Sequence, residues 1–238
     1  MKAAARDPVL PEGRAIGYSG QMTQDNDKKL VGANSDELLA RAYELETPAD
    51  SLALYRDWAD TYDTHLEQGL KYLSPQAIAS VFAEYVDDPE LRILDIGCGT
   101  GLTGLAAAAR GFKTLDGIDI SPEMLGEAHK KGIYATLIEA DLTGPLQIAD
   151  NTYDAAVSSG TFTHAHVGAV ALDEIFRILK PGAIFACTVN AGAWVENGFG
   201  PKIRELTGNG IMHVREIRPG ANFKGRDAVS RFVVFQKC

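Results

Sequence analysis

The sequence predicts a doubly wound α/β fold, with a seven-stranded, mostly parallel sheet, an antiparallel last strand pair and an N-terminal helical cap. Three observations predict it. Beyond Glu90, short apolar runs alternate with helical patterns, as in β-α-β units. The apolar run Arg92 to Ile96 passes directly into a glycine-rich turn, Gly97-Cys98-Gly99-Thr100-Gly101, and then into a helix, Leu102 to Arg110. Finally, Pro219 to Asp227 connects the last two strands with turn residues and no crossover helix, which makes those strands antiparallel neighbours.

Taken in order, residues 1–34 carry Pro, Gly, Asn, Asp and Lys without a sustained apolar period and read as a flexible arm. Residues 35–90 read as a helical cap segment and 91–238 as the core domain. Ser35 is the expected N-cap of a first helix bearing Leu38, Leu39, Ala42 and Tyr43. Thr47-Pro48 opens a second helix, in which Tyr55, Trp58, Ala59 and Tyr62 fall at i, i+3, i+4 and i+7 and make one face aromatic. Ser74-Pro75 opens a third, running through Ile78, Val81, Phe82 and Tyr85 to the breaker Asp87-Asp88-Pro89. Strands are expected near Arg92 to Ile96, Thr114 to Ile118, Ala135 to Glu139, Asp154 to Ser158, Ala183 to Val189, Ile211 to Ile217 and Val229 to Gln236. The stripe Leu172, Ile175, Phe176 and Leu179 predicts a helix that stops at Lys180-Pro181-Gly182.

Composition bounds the function. A formal charge of -9 argues against a broad nucleic-acid surface, which needs a surplus of Lys and Arg, so no nucleic-acid partner is expected. No apolar run approaches the roughly 20 residues that span a bilayer, so no membrane partner is expected either. Three widely spaced cysteines, Cys98, Cys187 and Cys238, build neither a disulfide framework nor a zinc cluster, and suit a reducing cytoplasm.

The chemistry concentrates at the glycine turn. Glycines there let the chain turn sharply and let a ligand approach the backbone, while the following helix offers N–H groups to an anion. A second strand ends in Asp119, 22 residues after Gly97, a spacing at which an acid can accept from both ribose hydroxyls of an adenosine. A nicotinamide-dependent dehydrogenase is the competing reading, but its G-x-G-x-x-G spacing fails, since Leu102 stands where the third glycine belongs.

The stretch Leu94-Asp95-Ile96-Gly97-Cys98-Gly99-Thr100-Gly101 resembles the first motif of class I S-adenosylmethionine-dependent methyltransferases, and Gly117-Ile118-Asp119-Ile120-Ser121-Pro122-Glu123-Met124-Leu125 resembles their second. Glu139-Ala140-Asp141-Leu142, Tyr153-Asp154 and Ile178-Leu179-Lys180-Pro181-Gly182 extend the match in the right order over about residues 91–190. Upstream, Tyr55-Arg56-Asp57-Trp58-Ala59-Asp60-Thr61-Tyr62-Asp63 resembles a helix of the methyltransferase-like proteins of the Williams-Beuren syndrome chromosome region.

The resemblance implies a Rossmann-like strand order 3-2-1-4-5-7-6, S-adenosylmethionine as cofactor and S-adenosylhomocysteine as product. It implies that the turn Gly97, Cys98, Gly99, Thr100 and Gly101 faces the methionine part of the cofactor, with Asp95 toward the ammonium, Asp119 on the ribose and Asp141 at the adenine amine. Ile120 and Leu142 would sandwich the ring, and Met124, Ala140 and Ser158 complete the expected binding set. Tyr55 and Tyr62 are candidates for an aromatic lid over the sulfonium; a core seam is the alternative for the same face.

Methyl transfer from a sulfonium is a direct displacement, so the protein chiefly aligns the groups and removes a proton where needed. His164 and His166, past the fourth strand, are the candidate bases, with Tyr62 a further catalytic candidate; no carboxylate or Cys at ligand spacing makes the H-x-H pair a metal site. That segment lacks the Asn/Asp-Pro-Pro-aromatic sequence of amino methyltransferases acting on nucleic-acid bases. The expected function is methyl transfer to a small-molecule acceptor through N, O or S. The alternatives are a protein acceptor, or a cofactor-binding protein of this fold without transfer.

Overall fold

A computed structural model of the chain describes residues 41, 48–66, 70–163, 167–225 and 230–238. The predicted arm, the helix from Ser35, and His164 and His166 lie outside the described residues.

Among the described residues, the helices α1 (Pro48–Thr64) and α2 (Ser74–Ala83) precede the sheet, both with proline in the first turn, where a missing N–H costs nothing. The core then runs β1 (Arg92–Ile96), α3 (Leu102–Ala108), β2 (Thr114–Asp119), α4 (Pro122–Lys130), β3 (Tyr134–Glu139) and β4 (Tyr153–Phe162). It continues through α5 (Ala171–Ile178), β5 (Leu179–Asn190), α6 (Ala191–Glu196), α7 (Phe199–Gly208), β6 (Met212–Gly220) and β7 (Ser230–Lys237). The seven strands are ordered β3-β2-β1-β4-β5-β7-β6, parallel except at β5·β7 and β6·β7, as expected from the sequence and its resemblance.

Each face of the sheet carries its own apolar layer. Leu94, Ile96, Phe176, Phe185 and Phe235 belong to one, under α5 and α7; Ile93, Leu115, Val157 and Val234 belong to the other, under α2 and α3. Alternation along each strand sends neighbours to opposite layers, which is why the central strands are apolar throughout. No helix of the described residues is long and apolar enough to cross a membrane.

Two boundaries differ notably from the sequence reading, one at each edge of the sheet, and the second shapes the site. The helix stops at Ile178, and Lys180-Pro181-Gly182, read as a terminator, lies inside β5. The pairing jumps from Tyr153↔Leu179 to Ala155↔Ile184, so these residues form a bulge, with Gly182 at φ 84°. Likewise β4 runs four residues past Ser158, through a second irregularity at Gly160 (φ 77°), and carries Ser159 and Thr161 to the sheet's carboxyl edge.

Candidate functional site

A cavity with about 1010 Å3 of empty space, its open mouth included, lies at that carboxyl edge, where β1, β2, β3 and β4 hand the chain to their loops. This is where ligands of open α/β sheets bind. Of the residues singled out from the sequence, Gly97, Cys98, Gly99 and Thr100 line it from the glycine turn, Asp119, Ile120 and Met124 from the end of β2 and α4, Asp141 and Leu142 from the loop after β3, and Tyr62 from α1.

The three turn glycines do different work. All have positive φ (63°, 52° and 93°). A Cβ at Gly97 would stand 2.2 Å from Thr161 Oγ1 and one at Gly101 3.0 Å from the Tyr134 ring, whereas one at Gly99 would meet nothing within 4 Å. Gly97 and Gly101 therefore make room for the protein's own side chains, and Gly99 alone leaves room for a ligand.

Asp119 holds the turn against β2. Its Oδ2 accepts from the Gly99 N–H at 2.8 Å and its Oδ1 from the Ser121 N–H at 2.9 Å. A carboxylate has about four acceptor positions, so two bonds leave capacity for ligand hydroxyls. Burial raises its pKa, and the N–H donors oppose that rise. Asp141 is exposed at the loop after β3, where its Oδ1 accepts from the Thr143 N–H and hydroxyl at 2.8 and 2.7 Å.

Helix α1 is tied to the turn. Asp63 accepts from Thr100 Oγ1 at 2.5 Å and from Lys131 Nζ at 2.5 Å, the latter at the end of α4. The aromatic face divides: Trp58 is buried, donating from Nε1 to His65 Nδ1 at 2.9 Å, while Tyr62 packs edge-on against it, ring centroids 4.7 Å apart, and reaches the cavity wall. Of Tyr55 only the helical backbone is described.

Four expected binding residues lie outside the cavity wall. Asp95 is fully buried beneath the turn, where its Oδ2 accepts from the Tyr134 hydroxyl at 2.6 Å. Burial pushes its pKa up to about 7, against the Tyr134 hydroxyl and the Gly104 N–H, which favour the charged form. Ser158, also buried, donates to the Ile96 carbonyl at 2.7 Å and so ties β4 to β1. Ala140 packs on the core, and Gly101 backs onto Tyr134. Cys98 lines the cavity, yet burial holds its thiol well above the ordinary value, so it serves as a packing group.

Sequence reasoning missed Tyr72, Pro75 and Val167 in the cavity wall; the run past the fourth strand, which supplies Ser159, Gly160 and Thr161, was expected at this sheet edge. Tyr72 Oη lies 3.3 Å from Ser159 Oγ, and a Cβ at Gly160 would crowd that phenol at 2.9 Å. The Tyr72 segment is moored to the β6–β7 connection: Leu73 N–H donates to the Asn222 carbonyl at 2.7 Å, and Ser74 Oγ to Asn222 Oδ1 at 2.8 Å. Tyr72 reads from sequence as the lead-in to α2.

Comparison with known proteins fits this fold and cavity. A methyltransferase-domain profile matches residues 94–187. The fold and the site thus define a class I S-adenosylmethionine-dependent methyltransferase. The chain belongs to that family: it is 31% identical over 168 residues to methyltransferase-like protein 27 of Homo sapiens, covering 68% of each chain. It is 33% identical over 182 residues to the botryococcene C-methyltransferase of Botryococcus braunii, covering 71% of this chain and 46% of that one. Among solved structures, a complex of the Trm112 methyltransferase activator with a methyltransferase from Haloferax volcanii shares the fold, with TM-score 0.59, 21% identity and coverage of 77% of this chain and 96% of that one.

S-adenosylmethionine is therefore the cofactor, and the residues present suit it. The cofactor carries a sulfonium and an ammonium, and the acids Asp95, Asp119 and Asp141 form no ion pair among the described residues. Asp95 Oδ1 is buried and has no hydrogen-bond partner there, so acceptor capacity beneath the turn is unspent. Gly99 supplies the open approach.

Proposed function

We propose that the protein transfers the methyl group of S-adenosylmethionine to a small molecule with a largely uncharged body. The cofactor would lie with its methionine part along the glycine turn, its ribose on Asp119, and its adenine between Ile120 and Leu142 with the amine on Asp141. Met124 would close the adenine side, and Asp95 would act on the ammonium from beneath. The bound cofactor supplies an already activated methyl group, so the acceptor's electron pair forms the new bond as the carbon–sulfur bond breaks. What the chain supplies is alignment and exclusion of water.

The observation that carries this reading is the chemical asymmetry of the cavity. Its charged side chains, Asp119 and Asp141, sit at the cofactor end. Elsewhere in the wall, the described side chains include the hydroxyls of Tyr62, Tyr72, Ser159 and Thr161 with Pro75 and Val167. A carboxylate or phosphate acceptor would find no counter-charge among them. The relative named for botryococcene is consistent with an apolar acceptor. Tyr62 and Tyr72 would bracket the transferring methyl, and His164 and His166, just past Thr163, are the candidate proton acceptors. In this reading 1–34 is an arm, 35–90 a cap and 91–238 the catalytic core, at work in the cytoplasm.

The test is to incubate the protein and S-adenosylmethionine labelled in the methyl group with two fractions of one cell extract, deproteinised metabolites and dialysed protein. Label is expected in the metabolite fraction, with S-adenosylhomocysteine released. Label confined to protein would sink the small-molecule reading.

A further inference from the structure

The first-motif glycines are partly explained by a residue outside every motif. Tyr134 opens β3, and its ring lies in the space that glycines leave free on three neighbouring elements. A Cβ at Gly104, in α3, would stand 2.2 Å from its hydroxyl; at Gly101, in the turn, 3.0 Å from its ring; and at Gly117, in β2, 3.2 Å from its ring. From that slot the hydroxyl donates to Asp95 Oδ2 at 2.6 Å. The carboxylate is 0% exposed, and its other oxygen has no hydrogen-bond partner among the described residues. The Gly104 N–H favours the charge without completing a bond to that oxygen. The other titratable groups around Asp95 are Cys98 in the turn and Asp119 at the end of β2, and neither brings a positive charge.

A buried carboxylate held by neutral donors alone is a costly arrangement, and it persists only where the surroundings fix it. Here they do, because the ring is clamped between α3, the turn and β2, so the phenol can point only at Asp95. Gly99, two residues before Gly101, is the turn glycine with open space above it. Moving the ring would shift Gly101 and with it the backbone that faces the cavity.

We propose that Tyr134 is a positioning residue for the cofactor's amino-acid end, its ring propping the glycine turn from below and its hydroxyl holding Asp95 with one oxygen free toward that end. The proposal rests on the cofactor placement given above. It assigns Tyr134 no contact with the cofactor.

The test uses two ligands that share the adenosine and differ in the amino-acid part: S-adenosylhomocysteine, and 5′-methylthioadenosine, which lacks it. Tyr134→Phe keeps the ring and removes the donor. Calorimetry is expected to show about tenfold weaker S-adenosylhomocysteine binding, the size of one charge-assisted hydrogen bond, with 5′-methylthioadenosine affinity within about twofold of the parent. Equal losses for both ligands, or none for either, would overturn the proposal. Circular dichroism checks that the variant is folded. Should Tyr134→Phe not fold, Asp95→Asn carries the same test, since it keeps the shape and removes the charge that Tyr134 positions; an unselective result there overturns the proposal equally. If the parent protein binds neither ligand, the cofactor placement falls and this proposal with it.

Discussion

The two ends of the central strands treat their acids differently. At the amino end, Asp116 of β2 is buried and neutralised by Arg92, whose guanidinium bonds it at 2.7 Å, with the Tyr153 hydroxyl at 3.2 Å. Asp154 of β4 is paired with Lys180 at 2.6 Å. At the carboxyl end, Asp95 and Asp119, on the same two central strands as Arg92 and Asp116, are held by N–H and O–H donors alone. The amino end is closed by ion pairs; at the carboxyl end neither acid has a basic partner among the described residues. An acid's function is thus read from what neutralises it, and not from its burial, since Asp116 and Asp95 are about equally buried.

Four measurements break or sharpen this contrast. The largest effect belongs to Asp119→Ala, which removes the acid proposed for the ribose and the acceptor that holds Gly99 and Ser121; S-adenosylhomocysteine binding by calorimetry is expected to weaken by about 100-fold or more. Asp116→Asn is the counterpart at the other end: urea unfolding should show a loss of about 2 kcal/mol, held down because Arg92 can return to water, with cofactor affinity unchanged. A comparable loss of affinity would erase the distinction between the two ends.

The third measurement concerns protons. Burial raises Asp95 to about 7 in the folded protein, above its value in the unfolded chain. Between those values the unfolded chain binds fewer protons at this site, so Asp95 favours folding at low pH and that contribution is lost as pH rises toward 7. From pH 5 to pH 6 the parent should lose about 1.4 kcal/mol relative to Asp95→Asn, compared by urea titration at the two pH values. An identical pH dependence in both proteins would place the charge elsewhere. The smallest effect is expected of Lys131→Ala, which unties one half of the Asp63 clasp. A partly exposed ion pair contributes about 0.5 kcal/mol, so cofactor affinity should fall only about twofold to threefold.

Legibility in the sequence followed distance along the chain. The glycine turn and Asp119 are each a few residues from a strand end, and local pattern alone placed them at one sheet edge; the loop acid Asp141 was added by the family resemblance. Asp95 was legible as an acid of the motif, but its address was not: whether it faces the cavity or the turn's underside depends on Tyr134, 39 residues away. Ser158 was chosen for its place at a strand end, yet the longer β4 passes that role to Ser159 and leaves Ser158 bonding β1. Lys180-Pro181-Gly182 read as a helix stop and is one, but the same residues also begin β5, because a bulge accommodates a proline that a regular ladder would reject.

By itself the sequence determined the α/β class, the antiparallel end of the sheet, the cofactor and most of the cavity's cofactor wall. The class and the sheet end follow from period-2 and period-3.6 patterning, whose physics is local; the cofactor and its wall follow from the resemblance that the short motifs carry. The tertiary structure alone decided which turn glycine stays open, why the others must be glycine, and that Tyr72 from before α2 meets Ser159 on β4 beside the Asn222 loop. Those outcomes depend on side chains brought together across tens of residues or more, 87 for Tyr72 and Ser159 and 148 for Ser74 and Asn222, and no local propensity encodes such a meeting; packing of the finished sheet creates it.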